Sequence, residues 1–148
     1  MRRVRVMLMT TALAGCTLAL GACQVPVDTC GAGSSVLGAW HYAGQQDAPP
    51  ARSAGTLTVT SESCDGFRGL LDLIETDGTG RTRRLSGPVS GRMIDGTSIR
   101  FDAFLEAAPR QHLASLHGDS VQGSWLAVGG PSTSSLTGTF TGLKVGSP

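Results

Sequence analysis

The sequence is short of charge and of aromatic rings. Charged residues fill 16% of its 148 positions and aromatic residues 5%, against about 25% charged in an average soluble domain. So few charges exclude a coiled coil, whose heptads need Glu and Lys in quantity. A 40% hydrophobic content excludes a disordered acidic or basic tail. The formal charge of +1 supplies no field for gripping nucleic acid. Chemical motifs are missing too. There is no Cys-x-x-Cys, His-Glu-x-x-His, phosphate loop or EF-hand loop, and no Gly-x-Ser-x-Gly elbow. Of the three histidines, His112 and His117 are five apart, which puts them on opposite faces of a strand. They and His41 read as satisfied surface or rim residues. No catalytic residue, metal site or cofactor is expected, and no stretch holds a helical period. What is abundant is glycine, at 21 residues, about twice the usual share. The length is room for one domain, and the composition points to a compact all-β one.

The first residues carry an address. Arg2, Arg3 and Arg5 form a basic n-region, and residues 6–22 are uncharged and mostly apolar. Leu20-Gly21-Ala22-Cys23 resembles the lipobox of bacterial lipoproteins, in which a Leu and small residues precede a Cys that becomes the lipidated first residue. Leu13-Ala14-Gly15-Cys16 fits the same pattern. Cleavage before Cys16 would leave an apolar stub and an odd thiol, so Cys23 is the expected lipidation site and Cys16 the alternative. An ordinary secretory signal cleaved near Ala22, or an uncleaved anchor, is the other reading. The expected organisation is a signal peptide at 1–22, a lipidated Cys and flexible tether at 23–34, and a domain at 35–148. Losing the three leader arginines leaves nine Lys and Arg against eleven Asp and Glu, a net −2. The resemblance implies a membrane partner through the lipid anchor. In a Gram-negative cell it implies outer-membrane sorting, because Gln24 rather than Asp follows the Cys.

Beyond the tether, apolar residues recur with period two between turn signals. Eight strands are expected, at about 35–43, 54–63, 66–76, 80–94, 97–106, 110–117, 120–128 and 134–145. Leu57 and Val59 alternate with threonines, and Ile99, Phe101, Ala103 and Leu105 oppose polar neighbours, with Phe104 on the wrong side. Cys64-Asp65-Gly66, Asp77-Gly78-Thr79-Gly80 and Asp95-Gly96 supply the positive φ that tight hairpins use. Connections this short force antiparallel neighbours. The largest connector is expected at residues 43–53, around Pro49-Pro50, and another polar loop at 129–134. The topology is therefore an up-and-down meander.

A weak repeat places Gly between two apolar residues on one strand face: Val36-x-Gly38-x-Trp40, Phe67-x-Gly69-x-Leu71, Val89-x-Gly91-x-Met93, Val121-x-Gly123-x-Trp125 and Leu136-x-Gly138-x-Phe140. Glycine in a strand marks a sharp bend or a close neighbour, and a closed eight-stranded barrel needs both. A curved open sheet or sandwich with Gly at bulges is the plainer alternative. If the first two strands form a hairpin, Cys30 and Cys64 lie side by side and are expected to form a disulfide, an even pair in an oxidising compartment.

Gly38-Ala39-Trp40 in the first strand, a long first loop and the meander resemble the lipocalin and avidin group of barrels, with Gly123-Ser124-Trp125 similar to later avidin strands. The biotin-binding polar set and a lipocalin-type helix are missing. The resemblance implies a barrel and a binding role. The expected function is non-enzymatic binding of a small apolar or amphipathic ligand, through a mouth covered by loops 43–53 and 129–134. Candidate lining residues are Trp40, Phe101, Trp125, Phe140 and Arg83. Arg83 belongs to a solvated Arg81, Arg83, Arg84 stripe unless register runs unbroken through Pro88; in that case it turns inward and wants an anion. A solid-core lipoprotein that docks an envelope protein is the competing function.

Overall fold

The computed structural model describes residues 35–106, 109–129 and 134–146. Eight strands follow one another: β1 Gly38–Gln46, β2 Ala51–Ser63, β3 Gly66–Asp77, β4 Thr82–Met93, β5 Ser98–Ala103, β6 Arg110–His117, β7 Ser120–Ala127 and β8 Leu136–Lys144. Each pairs antiparallel with the next, and β8 returns to β1, so the sheet closes as an up-and-down barrel. Closure leaves no strand edge exposed.

Alternation decides which residues enter the barrel. Leu57, Val59, Leu71, Leu73, Ile99, Phe101 and Ala103 are buried, while the residues between them face out, Phe104 included. Apolar residues from all five glycine repeats line the interior, and the glycines stand between them on the same inward face. Their reason is close approach of backbone. A Cβ built on Gly69 would lie 2.1 Å from the Thr58 carbonyl oxygen, and one on Gly123 2.1 Å from that of Leu113. Only a residue without a side chain lets the wall curl this tightly.

Three expectations need correction. Residues 43–53 are not a long connector: β1 runs on to Gln46 and β2 begins at Ala51, leaving residues 47–50 as a short hairpin turn. Gly96 does not supply a positive φ. That turn is held by Asp95 instead, whose Oδ1 accepts hydrogen bonds from the Thr97 and Ser98 N–H groups at 2.8 and 2.7 Å. Pro88 causes no bulge. β3 and β4 stay in register across it, and the irregularity lies in β2 between Val59 and Ser61. The Pro88 carbonyl accepts from Phe104 N–H, so its missing N–H points to the β5 side, just past that strand's end, and costs β3 nothing.

The two ends of the barrel differ. At one end Val36 is buried, and the Trp40 indole N–H donates to its carbonyl at 2.8 Å. Lys144 Nζ donates to the Ser35 carbonyl and sits over the Trp40 ring. The entering chain, the exiting chain and the Cys64 turn all lie at this end. Cys64 is disulfide-bonded; Cys16, Cys23 and Cys30 lie outside the described residues. The hairpin turns at 47–50 and 78–81 lie at the other end, hereafter the mouth.

Candidate functional site

The interior changes character along its axis. Going toward the mouth, the inward residues of β1 run Trp40, Tyr42, Gly44, Gln46; those of β3 run Phe67, Leu71, Leu73, Glu75; those of β6 run Leu116, Ala114, His112, Arg110. Three strands thus deliver polar groups to one end. Burying them is tolerable because they find hydrogen-bond partners, Arg110 only in part.

Glu75 is the centre of that set. Its Oε1 accepts from Arg83 Nε at 2.9 Å and from Arg83 Nη2, and its Oε2 accepts from Arg110 Nη2 at 2.8 Å. Burial alone would push its carboxyl up, but the hydrogen bonds and charges of Arg83 and Arg110 win and hold it below the usual range. Arg83 Nη1 also donates to Glu106 Oε1. Arg110 is 2% exposed, stacks 4.9 Å from the Trp125 ring centroid, and leaves Nε and Nη1 without a partner among the described residues.

One layer deeper lies a neutral pair. His112 Nδ1 is 2.9 Å from the Arg110 carbonyl, which can only accept, so the proton is on Nδ1. Nε2 is then the acceptor for the Tyr42 hydroxyl at 3.3 Å. Burial, aided by the Arg110 charge and opposed by the carbonyl, brings the His112 pKa down to about 4. Burial likewise raises the Tyr42 hydroxyl well above its ordinary value. The ring of His112 stacks on Phe101 at 4.2 Å, and Tyr42 stacks on Phe140 at 5.2 Å. His112 is therefore a core residue, which corrects the surface or rim reading. A charged imidazole there would lose its hydration and repel Arg110.

Above the ionic cluster the mouth holds a cleft of about 460 Å³. Pro49, Pro50 and Leu136 form its apolar side and Gln46, Glu75 and Arg83 its polar floor, with Asp77, Arg81 and Thr82 also lining it. Of the five residues expected to line a pocket, only Arg83 reaches this cleft. It faces inward because register is unbroken through Pro88, and its anion is Glu75. Trp40, Phe101, Trp125 and Phe140 point into the barrel as expected but fill it. Trp40 packs under Val36, and Phe101 and Phe140 belong to the stacked rings around His112. Arg110, Glu75, Glu106, Tyr42 and Gln46 were not singled out from the sequence. Among the described residues no group of three His, Cys, Asp or Glu could hold a metal ion.

No protein-family model matches the chain, and no curated protein matches it. Solved structures do resemble it. The chain is similar to EF1p2_mFAP2b, solved bound to DFHBI, with a TM-score of 0.58 and 12% identity over 74% of this chain and 93% of that one. It is also similar to a fluorescence-activating β-barrel designed de novo, with a TM-score of 0.54 and 14% identity over the same shares, 74% and 93%. The S-type phycobiliprotein lyase CPES from Guillardia theta superposes with a TM-score of 0.49 and 8% identity over 76% of this chain and 90% of that one. The likeness to the first two shows the fold, a small closed β-barrel.

Proposed function

We propose that this chain is a lipid-anchored envelope protein whose barrel binds one small amphipathic molecule at its mouth, without catalysis. The observation that carries the binding reading is the mouth cleft, an apolar wall facing an ionic floor. Its volume falls inside the range of about 300–1,000 Å³ usual for small-molecule sites. The packed rings below fill the middle of the barrel, which supports a site at the rim. The two similar barrels support a binding role, since one is bound to DFHBI and the other is fluorescence-activating, as does the resemblance to lipocalins and avidins. The anchor reading rests on the lipobox-like leader, with a signal peptide at 1–22, Cys23 carrying the lipid, and a tether at 23–34. The described chain starts at the end opposite the mouth, so the tether would join the barrel at the end away from its cleft.

Native mass spectrometry on residues 24–148, exported to an oxidising periplasm and exposed to envelope lipid extract, tests the binding. A discrete extra mass, lost when Leu136→Arg fills the cleft, is the expected result. Labelled palmitate incorporated by wild type but not by Cys23→Ser tests the anchor. A bare mass favours the second reading, docking of an envelope protein partner. One observation supports that reading: Ile94, Leu113 and Leu126 are exposed around a groove on the outer wall.

A further inference from the structure

The mouth cluster contains two carboxylates that are held in very different ways, and the difference names the head group of the ligand. This step rests on the mouth-binding reading and deepens it. Arg83 and Arg110 carry two positive charges, and Glu75 sits between them with both oxygens engaged. One positive charge is left over. Glu106 balances it, with Oε1 on Arg83 Nη1 and Oε2 3.9 Å from Arg110 Nη2.

Glu75 is buried on β3, which is paired on both sides. Glu106 is 40% exposed and lies past the end of β5, outside any ladder. An exposed pair is screened by water and opposed by side-chain entropy, so it is easily exchanged. A buried carboxylate between two guanidiniums is not. The donors of the cluster also outnumber its acceptors. Arg110 uses Nη2 alone, and its Nε and Nη1 have no partner among the described residues.

We propose that Glu106 is the exchangeable occupant of a carboxylate site on Arg83. A ligand bearing one carboxylate takes its place, and the apolar body of that ligand lies along Pro49, Pro50 and Leu136. Glu106 moves into water as the ligand enters, so the charge of the cluster is unchanged. An amphiphile with an uncharged head gains only the apolar wall and leaves Glu106 where it is.

Decanoate and decan-1-ol share a chain and differ in head, which makes them the probes. Titration calorimetry uses residues 24–148, because β1 to β8 close the barrel within 38–144. Wild type is expected to bind decanoate severalfold more tightly than decan-1-ol, the scale of one charge-assisted hydrogen bond from Arg83 Nη1. Glu106→Gln should tighten decanoate severalfold and leave decan-1-ol unchanged. Arg83→Gln should erase the preference, and Arg83→Lys, which keeps the charge without the fork, should keep part of it. If Arg83→Gln does not fold, the other two variants decide. Equal binding of both probes, or no gain in Glu106→Gln, overturns the carboxylate assignment and leaves the mouth reading standing. No binding of either probe to wild type overturns both.

Discussion

Acid should destabilise this barrel through one buried ring, and the size of the effect follows from the structure. His112 is 1% exposed, its Nδ1–H is committed to the Arg110 carbonyl, and its Nε2 faces Tyr42. The charged groups facing it are Arg110 on its own strand and, across the cluster, Glu75. Its folded pKa is about 4 against an ordinary 6.5. The unfolded chain therefore takes up a proton that the folded one refuses, and stability falls as pH drops below 6.5. At about 1.36 kcal/mol for each unit of that difference, the effect amounts to about 3 kcal/mol in full, of which about 2 kcal/mol is lost between about pH 7 and pH 4.5. Glu75 titrates in the opposite situation. Its folded pKa is lowered, so the stability it contributes is present above the ordinary carboxylate range and disappears only as pH falls through that lowered value. The window above about pH 4.5 therefore belongs mainly to His112. Urea unfolding of wild type and of His112→Gln at both pH values isolates it, since all other groups are shared. Wild type should lose about 2 kcal/mol more than the variant over the window. Equal losses, within about 0.5 kcal/mol, would refute the neutral-imidazole assignment.

The ionic cluster and the glycine bends give two further expectations. Glu75→Gln strands the Arg110 guanidinium and should cost about 3–5 kcal/mol in urea unfolding. Arg84→Gln, which breaks a 3.7 Å pair on a side chain 78% exposed, should cost less than about 1 kcal/mol; similar losses in the two would remove the distinction. Gly69→Ala drives a Cβ against the Thr58 carbonyl and should cost about 1–3 kcal/mol or more. Gly96→Ala meets nothing within 4 Å and should stay within about 0.5 kcal/mol, so thermal melts of the pair test whether the glycines are there for space.

The strands, their antiparallel order and the inward glycines could be read from the sequence because each leaves a local trace. Alternation marks β2 and β5, turn chemistry marks the short connections, and glycine between two apolar residues marks a bend. The ends of β1 and β2 leave no such trace. Ala43-Gly44-Gln45-Gln46 and Ala51-Arg52-Ser53-Ala54 are small or polar on both faces and resemble loop. They are strand because β8 and β3 pair with them from outside the hairpin, and barrel closure is not a local property. The polar cluster is hidden for a related reason. In β6 the inward set Arg110, His112, Ala114, Leu116 is no more apolar than the outward set Gln111, Leu113, Ser115, His117, so period two does not choose a face. Burial of Arg110 becomes readable only once Glu75, 35 residues earlier, is known to lie beside it. The signal available was directional. In an up-and-down meander alternate strands run oppositely, and Glu75 ends one inward series as Arg110 begins another, which puts both at the same end.

That shared end explains why a barrel with so little aromatic bulk keeps its charges inside. Rings from β1, β5, β6 and β8 fill the middle, and Trp40 under Val36 seals the end where the chain enters. Apolar residues at the remaining end would complete a solid core. Glu75, Arg83 and Arg110 stand there instead, at a desolvation cost that well-packed hydrophobic residues of similar volume would avoid. Stability alone does not favour that arrangement. It is favoured where a charged partner is to be met in a setting drier than water, because each contact is then stronger than on an open surface. The cluster lies under the cleft rather than at the sealed end, and of its two carboxylates the one outside the strands is the more exposed. Both features follow if the mouth is built to exchange one anion for another, and neither follows from packing.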